Sequence, residues 1–331
     1  MFEIVGESPQ FKRVLELSGK IAKVESLTTV IVGESGTGKE QIARLIHHLS
    51  HASTRPFVDV NCGALPETLL ESELFGHEKG AFTGAQTQKQ GLFEWADGGT
   101  IFLDEIVNTS PGFQAKLLKV VENKRFRRVN GLHEIEVSTR IIAATNASLK
   151  QAVKTGAFRQ DLYYRLNICP IHIPPLRQRG RDSLKLAQHF IRRFNAEYGL
   201  NVRIMTEAAK QFVLRYPWPG NVRQLRNTLE RAMVVECDDT LDVEHLRVDS
   251  LHCDFPPAIQ PEERVQSPLR QGHGPDGRAA SWEGIERDAI KTALIAACGN
   301  VSEAARILHV NRGKLRYRMG KLGIPAFQAQ L

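Results

Sequence analysis

The segment that most restricts how this chain can fold is a glycine-rich loop near its start. Its eight residues are Gly33, Glu34, Ser35, Gly36, Thr37, Gly38, Lys39 and Glu40. The loop follows a β-branched run and precedes a stretch with the apolar spacing of a helix. Glycines let the backbone turn tightly, so successive N–H groups point into one concavity that accepts phosphate oxygens. We therefore assign these eight residues to a nucleotide site between a strand and a helix, with Lys39 as its mobile cation.

Two acidic residues form the second half of the predicted site. Asp104 and Glu105 directly follow an apolar run with the composition of a buried strand. The carboxyl ends of parallel strands meet at the edge of the sheet where ligands bind. We expect Asp104 to hold Mg²⁺, directly or through water, and Glu105 to polarise the water that attacks the γ-phosphate of ATP. Glu40 stands where many such loops place the Ser or Thr that binds Mg²⁺, which leaves the rest of the metal shell open.

The composition is that of an ordinary globular chain of 331 residues, with 42% hydrophobic and 24% charged residues. No apolar run approaches the roughly 18 residues of a membrane span, and the first residues do not form a secretory signal. The five cysteines stand far apart without a Cys-x-x-Cys pair. That scatter indicates reduced thiols in a cytoplasmic protein, not disulfides or a zinc site. The formal net charge of +7 permits nucleic-acid binding without establishing it.

Hydrophobic patterning predicts an α/β fold for most of the chain. Short apolar runs alternate with amphipathic stretches, which indicates a parallel sheet with helices on both faces. The predicted strands are Thr28–Val32, Phe57–Val60, Thr100–Leu103, Arg140–Ala144 and Ile168–Ile173. We expect four parts: an α/β ATPase subdomain at 1–178, an all-helical subdomain at 179–248, a proline-rich linker at 249–281 and a helical tail at 282–331.

A second loop sequence links the chain to a known family. Its residues are Gly80, Ala81, Phe82, Thr83, Gly84 and Ala85. This hexamer resembles the GAFTGA loop of bacterial sigma-54-dependent activators, the enhancer-binding branch of the AAA+ ATPases. The resemblance extends from about Ile4 to Leu241 and resumes in the tail. It implies an AAA+ P-loop NTPase core with a helical lid, ATP and Mg²⁺ as cofactors, and contact of this loop with sigma-54 RNA polymerase. From the residues alone we predict only a mobile loop whose exposed Phe82 contacts a partner.

The same resemblance implies roles for five further residues near ATP. They are Asn61 as the residue that holds the catalytic glutamate until triggered, Asn146 as sensor I, Arg159 and Arg165 as fingers that act on a neighbouring subunit, and Arg223 as sensor II. An arginine supplied in trans would stabilise charge on the transferring phosphoryl group. Either arginine could instead form a structural ion pair within its own chain.

The tail is basic and has helical spacing. Residues 283–331 contain eight basic and four acidic residues, and apolar stripes include Ala293 and, further on, Met319 and Leu322. Two short helices joined by 309–311 fit a helix-turn-helix and resemble the Fis-type domain that ends many of these activators. The predicted DNA contacts are Arg312, Lys314, Arg316, Arg318 and Lys321. A helical hairpin that only dimerises is the alternative for this segment.

The resemblance as a whole implies a transcription activator that binds double-stranded DNA upstream of a promoter. It implies a homo-oligomer, hexameric when active and dimeric when inactive, which hydrolyses ATP between subunits to open promoter complexes. The sequence starts almost at the first ATPase residues, 4–9, which resembles the phage-shock type of activator without a receiver or ligand-sensing domain; by analogy we expect control by a separate negative regulator. Two alternatives are an AAA+ ATPase that remodels proteins and a DNA-binding regulator that binds nucleotide without hydrolysis. The first gives no reason for the loop at 80–85 or the basic tail, and Glu105 argues against the second.

Overall fold

The computed structural model describes residues 4–236 and 239–246 and, near the C-terminus, residues 290, 292–294, 304, 308, 319 and 322. The chain divides into two compact units, Met1–Asp254 and Phe255–Leu331. The helices of the first unit are α1 Pro9–Ala22, α2 Lys39–His48, α3 Glu67–Phe75, α4 Leu92–Trp95, α5 Pro111–Asn123, α6 Leu149–Lys154, α7 Gln160–Leu166, α8 Asp182–Tyr198, α9 Glu207–Arg215 and α10 Asn221–Arg231. Its strands are β1 Thr29–Val32, β2 Phe57–Asn61, β3 Thr100–Asp104, β4 Arg125–Phe126, β5 Ile135–Glu136, β6 Arg140–Thr145, β7 Cys169–His172, β8 Ile204–Met205 and β9 Thr240–Leu241.

A parallel sheet in the order β2-β3-β6-β1-β7 forms the centre of this unit. The five predicted strands are confirmed, and their observed ends lie within one residue of the prediction. Apolar side chains alternate between the two faces, because successive strand residues point to opposite sides. On β3, Ile101 and Leu103 pack on one face and Phe102 packs on the other.

Helices cover both faces of the sheet, as predicted. α1 and α2 pack on the face that carries Phe102, whereas α3 to α7 pack on the opposite face. In α5 the buried positions Phe113 and Leu117 are four residues apart and lie on one side of the helix. The helix begins after Ser110, whose hydroxyl oxygen accepts a hydrogen bond from the Phe113 N–H. The sheet is thus the middle of three layers.

Parallel pairing brings the carboxyl ends of four strands to one edge. Val32 at the end of β1 lies opposite Thr145 of β6, and Asn61 of β2 lies opposite Asp104 of β3. The Gly33 N–H donates to the Thr145 carbonyl oxygen, 3.1 Å away, which fixes the start of the glycine-rich loop against β6. Residues that follow β1, β2, β3 and β6 therefore lie together at the edge where ligands bind in such sheets.

The region after β7 forms a smaller subdomain that is helical, as predicted, with one addition. α8, α9 and α10 enclose a core that includes Phe194, Trp218 and Leu229. β8 pairs with β9 in a two-residue parallel ladder, so the expectation of helices alone was wrong at this point. Strands of two residues produce no alternating pattern, and a sequence pattern therefore cannot reveal them.

The described residues of the second unit form a small apolar cluster. Its buried members are Ile290, Ala293, Leu294, Ala304, Met319 and Leu322. The Leu308 N–H donates to the Ala304 carbonyl oxygen at 3.0 Å, the spacing of an α-helical turn. The predicted linker at 249–281 and the predicted DNA contacts Arg312, Lys314, Arg316, Arg318 and Lys321 lie outside the described residues. Among the helices that are described, none is long and apolar enough to cross a membrane.

Candidate functional site

The glycine-rich loop turns between β1 and α2, and Lys39 is the first residue of α2. Gly36 and Gly38 have φ angles of 75° and 97°, a left-handed conformation that glycine adopts without strain. Lys39 is 8% exposed, and its Nζ donates to the carbonyl oxygens of Gly33 at 3.1 Å and Glu34 at 3.4 Å. The loop, the start of a helix and a buried ammonium group together form a concavity suited to anions.

Charged groups from distant parts of the chain surround this lysine. Burial lowers the pKa of Lys39, while the carboxylates of Asp104 and Glu105 raise it and the guanidinium of Arg223 lowers it further. Parallel pairing places Asp104 at the same edge of the sheet as the end of β1, and Arg223 reaches this edge through its hydrogen bond to Ser35 at 3.2 Å. The fold therefore brings together the cation, the two carboxylates and the lid arginine that the sequence assigned to one site.

The two acids at the end of β3 have different backbone conformations. Asp104 continues the strand, and its Oδ1 accepts a hydrogen bond from the Glu105 N–H at 2.9 Å. Glu105 has a φ angle of 55°, which is uncommon for a residue other than glycine and occurs most often at functional sites. Its carboxylate lies against Gly63, where an added Cβ would be 2.5 Å from Oε2. A side chain at position 63 would therefore displace the Glu105 carboxylate from this place.

Two asparagines lie beside the Glu105 carboxylate with different partners. The Oδ1 of Asn61, predicted by resemblance to hold Glu105, accepts the Gly63 N–H at 2.8 Å. The amide that reaches Glu105 belongs to Asn108, whose Nδ2 is 3.4 Å from Oε2. Sequence reasoning missed Asn108. Its available signal was a position three residues after Glu105, which the short 3₁₀ turn Ile106–Asn108 folds back toward the acid.

The pKa of Cys62, which lies between β2 and Gly63, is affected by the same carboxylates. Burial, with smaller contributions from Asp104 and Glu105, raises the pKa of its thiol from 9.0 to about 12. A thiol with such a pKa stays protonated near neutral pH and is a poor nucleophile. Cys62 therefore contributes packing beside the site and not reactivity.

Asn146, the predicted sensor I residue, follows the last residue of β6 at the same edge. Thr145 receives the Gly33 N–H on its carbonyl oxygen, and its hydroxyl oxygen accepts the Ala147 N–H at 3.1 Å. This local turn leaves Asn146 exposed, one residue beyond the contact between β6 and the glycine-rich loop. The position is compatible with an amide that faces a ligand bound at this edge.

A cavity of about 240 Å³ adjoins the loop, and sequence reasoning did not identify it; its lining is mostly apolar and also includes Gln41, Arg179, His189, Arg193 and Arg226. Its lining includes Ile4, Val5, Ile42, Phe190 and Val222, together with Thr37 and Gly38 of the loop. The cavity lies between the α/β layers and α8 and α10 of the smaller subdomain. A concave apolar space beside a phosphate cradle suits the planar base of a nucleotide. No sequence pattern joins these residues, because they come from four separate segments.

Two buried charged residues, Asp182 and Arg179, secure the segment that covers this cavity. Asp182 accepts hydrogen bonds from the N–H groups of Glu7 and Ser8 and, at 2.8 Å, from the Ser8 hydroxyl. Arg179 lies 4.2 Å from the centre of the Phe11 ring and donates to the Thr37 carbonyl oxygen at 2.9 Å. Burial lowers the pKa of Arg179 to about 10. These contacts join α1, the loop and the start of α8.

Two further predicted residues lie at the edges of the loop. Arg223 on α10 donates from Nη1 to the Ser35 hydroxyl oxygen at 3.2 Å, so the predicted sensor II arginine lies at the loop. Glu40 instead accepts a hydrogen bond from Arg44 Nε at 2.8 Å on the exposed side of α2. Its carboxylate is thus engaged one helical turn along, in an ordinary i,i+4 pair.

The two predicted finger arginines lie on and next to α7, and both form exposed ion pairs within the chain. Arg159 pairs with Asp161 at 2.6 Å, and Arg165 pairs with Glu122 at 2.9 Å. Exposed pairs of this kind contribute about 0–1 kcal/mol, so either guanidinium can exchange its partner at little cost. The observed pairs are therefore weak contacts within a single chain, and neither arginine is held strongly by its partner.

The loop at 80–85 projects from a stem held by the β4–β5 hairpin. His77 bridges to Lys89 on one side and to Val129 of the hairpin on the other. Phe82 is 47% exposed, and its ring makes an edge contact with the His77 ring at a centroid distance of 5.0 Å. An aromatic side chain left half exposed between flexible glycines suits contact with another molecule.

The sheet order, the phosphate-type loop after β1, the acids after β3 and the helical lid define an AAA+ P-loop NTPase fold. Comparison with family models places the chain within that class. Residues 4–172 match the sigma-54 interaction domain, residues 177–253 match the AAA+ ATPase lid domain, and residues 282–322 match the bacterial regulatory protein, Fis family, model. The chain belongs to the sigma-54 interaction domain family of regulators, which confirms the resemblance found in the sequence.

Individual relatives agree with this assignment. The nitrogen fixation protein AnfA of Azotobacter vinelandii is 44% identical over 321 residues, covering 97% of this chain and 57% of AnfA. The phenol regulator MopR of Acinetobacter guillouiae is 44% identical, covering 97% of this chain and 56% of MopR. The structure of NtrX from Brucella abortus in complex with ATP superposes with a TM-score of 0.70 at 29% identity, covering 97% of this chain and 69% of NtrX. The chain thus spans less than three-fifths of the length of these two curated relatives.

Proposed function

We propose that this chain is the ATP-hydrolysing and DNA-binding part of a sigma-54-dependent transcription activator. The observation that carries the proposal is the convergence of Lys39, Asp104 and Glu105 at one sheet edge in a member of this family. Hydrolysis there would move the loop at 80–85 against sigma-54 RNA polymerase and open the promoter complex. An ATPase that only remodels proteins would not need that loop together with a Fis-type tail.

ATP fits the site in two parts. The triphosphate would occupy the loop formed by residues 33–40, with Lys39 exchanging its carbonyl partners for phosphate oxygens. The adenine would enter the apolar cavity lined by Ile4, Val5 and Phe190, and Arg223 would contact the phosphates from the lid. The structure of NtrX in complex with ATP, which has the same fold, supports ATP as the nucleotide.

The carboxylates also fit Mg²⁺. Asp104 has one carboxylate oxygen bound by the Glu105 N–H, which leaves the other for the ion or its water. In the described part of the chain no cluster of three or more His, Cys, Asp or Glu side chains could hold a metal. Mg²⁺ takes one or two carboxylates and completes its shell with phosphate oxygens and water, so Asp104 would be its carboxylate ligand. When bound, Mg²⁺ would neutralise phosphate charge.

Glu105 would act as the general base. Its left-handed backbone presents the carboxylate at the edge of the sheet, and Asn61 and Asn146 would control when it meets the attacking water. Arg159 and Arg165 would leave their exposed pairs and stabilise the transferred phosphoryl group of a neighbouring subunit. This arrangement requires an oligomer, and we propose a hexameric ring when active and a dimer when inactive.

The remaining assignments complete the proposal. The α/β ATPase subdomain would occupy 1–178, the lid 179–248, the linker 249–281 and the DNA-binding domain 282–331. The tail would bind DNA upstream of the promoter through its basic positions, as the match to the Fis family supports. Because its partners would be DNA and RNA polymerase, the protein would act in the cytoplasm, under a negative regulator supplied in trans.

In vitro transcription tests this function directly. Purified protein is added to sigma-54 holoenzyme on a supercoiled template, with ATP or with a non-hydrolysable analogue. We expect open complexes and transcripts with ATP alone. ATP hydrolysis without any transcript or contact with sigma-54 would contradict the activator role while leaving the ATPase in place.

A further inference from the structure

We infer that Asn221 is a positioning residue that shapes the phosphate-binding loop from the lid side. The inference rests on the proposed nucleotide site and adds a residue that the sequence analysis did not single out. Asn221 begins α10, is completely buried and has a φ angle of 52°. Asparagine is one of the few residues that adopt this left-handed backbone with little strain.

Every hydrogen-bonding atom of the Asn221 side chain has a partner. Its Oδ1 accepts the Leu176 N–H at 2.8 Å. Its Nδ2 donates to the Glu34 carboxylate at 3.1 Å and to the Ser35 carbonyl oxygen at 3.0 Å. One buried amide therefore joins the segment that leads into the lid to two consecutive residues of the glycine-rich loop. A buried polar group that is fully satisfied in this way rigidifies its surroundings.

The peptide plane transmits this contact to the phosphate side of the loop. In a trans peptide the C=O of one residue and the N–H of the next point in opposite directions. Asn221 holds the Ser35 carbonyl oxygen toward the lid, and the Val222 N–H holds that of Gly36 at 3.0 Å. The N–H group of Gly36 therefore points away from the lid, as does that of Thr37, which donates to the Glu34 carbonyl oxygen at 3.3 Å. Lid contacts thus set the direction of the Gly36 amide, which a bound phosphate would use.

Glu34 extends the same attachment. Its carboxylate receives the Arg177 guanidinium through two hydrogen bonds, of 2.6 and 2.8 Å, as well as the Asn221 amide. The Arg177 hydrogen bond is the main cause of the lowered pKa of Glu34. Arg177 is also the first residue matched by the lid family model. Residues 34, 35 and 36 of the loop are therefore all bonded to the lid or to the segment that leads into it.

The loop and the lid also pack so closely that no side chain fits at Gly36. A Cβ added at Gly36 would collide with the Gly220 carbonyl oxygen. A change in the position of the lid would consequently change the conformation of the loop, and the reverse. A lid that docks in this way favours nucleotide binding, and bound nucleotide favours the docked lid by the same factor.

The sharpest test is Asn221→Asp, with nucleotide affinity measured by equilibrium titration with a fluorescent ATP analogue. Aspartate keeps the acceptor for the Leu176 N–H and tolerates the left-handed backbone. It replaces the donor with an oxygen that faces the Glu34 carboxylate and the Ser35 carbonyl. We expect the Kd to rise roughly 10- to 100-fold, because the Ser35 carbonyl oxygen loses its donor and the new carboxylate faces the carboxylate of Glu34. Asn201→Asp is the matched control, since Asn201 is exposed in the lid and serves only as an acceptor for Arg203.

Reversing the hydrogen-bond polarity gives a readout that a general loss of stability would not produce. In the double variant Glu34→Gln/Asn221→Asp, the glutamine amide can donate to the new carboxylate. Glu34→Gln alone also weakens the pair with Arg177, so we expect the loss of affinity in the double variant to be at least about fivefold smaller than the product of the losses in the two single variants. Thermal unfolding without nucleotide separates affinity from stability. Should Asn221→Asp be unfolded at the assay temperature, Arg177→Gln leaves Asn221 in place and is expected to weaken binding by about three- to tenfold.

The outcomes distinguish this inference from the proposed function. A wild-type protein that fails to bind ATP, or a Lys39→Ala variant that binds normally, contradicts the nucleotide site itself. Normal binding by wild type with a Kd for Asn221→Asp within twofold of Asn201→Asp overturns only the role of Asn221. A double variant whose loss of affinity equals the product of the losses in the two single variants does the same.

Discussion

The ammonium group of Lys39 donates a hydrogen bond to the carbonyl oxygen of Gly33, 3.1 Å away, and so folds back onto its own loop. Bound phosphate would replace this neutral acceptor with charged oxygens, which form stronger hydrogen bonds. Lys39→Ala removes that gain, and we expect the Kd for ATP to rise roughly 100-fold. Isothermal titration would measure it. Lys20→Ala, which changes an exposed lysine on α1, is the control. Equal affinities of the two variants for ATP would show that Lys39 does not bind the phosphates.

Glu105→Gln separates binding from hydrolysis. The substitution keeps the size of the side chain and its contact with Asn108 but removes the base. We expect ATP to bind with near-normal affinity and turnover to fall by roughly 10²–10⁴. Steady-state phosphate release and nucleotide titration give the two quantities. Turnover near that of Glu16→Gln, an exposed glutamate on α1, would mean that another group acts as the base.

Phe82→Ala tests the projecting loop. Phe82 contacts the His77 ring and no part of the nucleotide site, so its removal should leave ATPase activity within about twofold of wild type. Open-complex formation with sigma-54 holoenzyme should be lost. Ile204→Ala, which shortens an exposed apolar side chain in the lid, is the matched control. Normal transcription by the Phe82 variant would show that the loop contact lies elsewhere.

Mixing two inactive variants tests whether Arg165 acts between subunits. Lys39→Ala removes a nucleotide site, and Arg165→Ala removes a finger. Mixed rings would contain some interfaces with an intact site beside an intact finger, so we expect part of the ATPase activity to return. Glu122→Gln, which removes the observed partner of Arg165, should remain active. No recovery at any mixing ratio, together with an inactive Glu122 variant, would indicate that the ion pair itself is what matters.

Cys62 predicts a pH dependence of stability. Its pKa is about 12 in the folded protein and 9.0 ordinarily, so the unfolded chain loses the thiol proton first. The contribution of the protonated Cys62 thiol to the free energy of unfolding is fully present below pH 9 and is lost as pH rises toward 12. The free energy of unfolding of wild type relative to Cys62→Ala should therefore fall by about 1.4 kcal/mol per pH unit above pH 9. Chemical denaturation of both proteins at pH 7 to 10.5 would measure this, and a difference independent of pH would contradict the buried thiol.

Much of the fold could be predicted because its signals are local. Each central strand is a short apolar run, and parallel pairing alone places Asp104 and Thr145 at the edge where β1 gives way to the loop. The lid ladder between β8 and β9 was missed because two residues are too few for a pattern.

The parts of the site that sequence reasoning missed depend on contacts between distant segments. Asn221 reaches Glu34 across 187 positions, and Asp182 binds Ser8 across 174. Asn108 lies only three residues from Glu105, but its direction depends on the 3₁₀ turn and on the left-handed backbone of the acid. Neither conformation follows from residue type alone.

The stem of the projecting loop is connected to the β4–β5 hairpin. Because His77 is bridged to Val129, we expect a displacement of the stem to displace the β4–β5 hairpin as well. Leu132 lies near the tip of this hairpin, and its side chain is 84% exposed to solvent. A fluorescent dye attached at position 132 would therefore report movement of the loop at 80–85 from a distance. It would leave Phe82 free to contact its proposed partner.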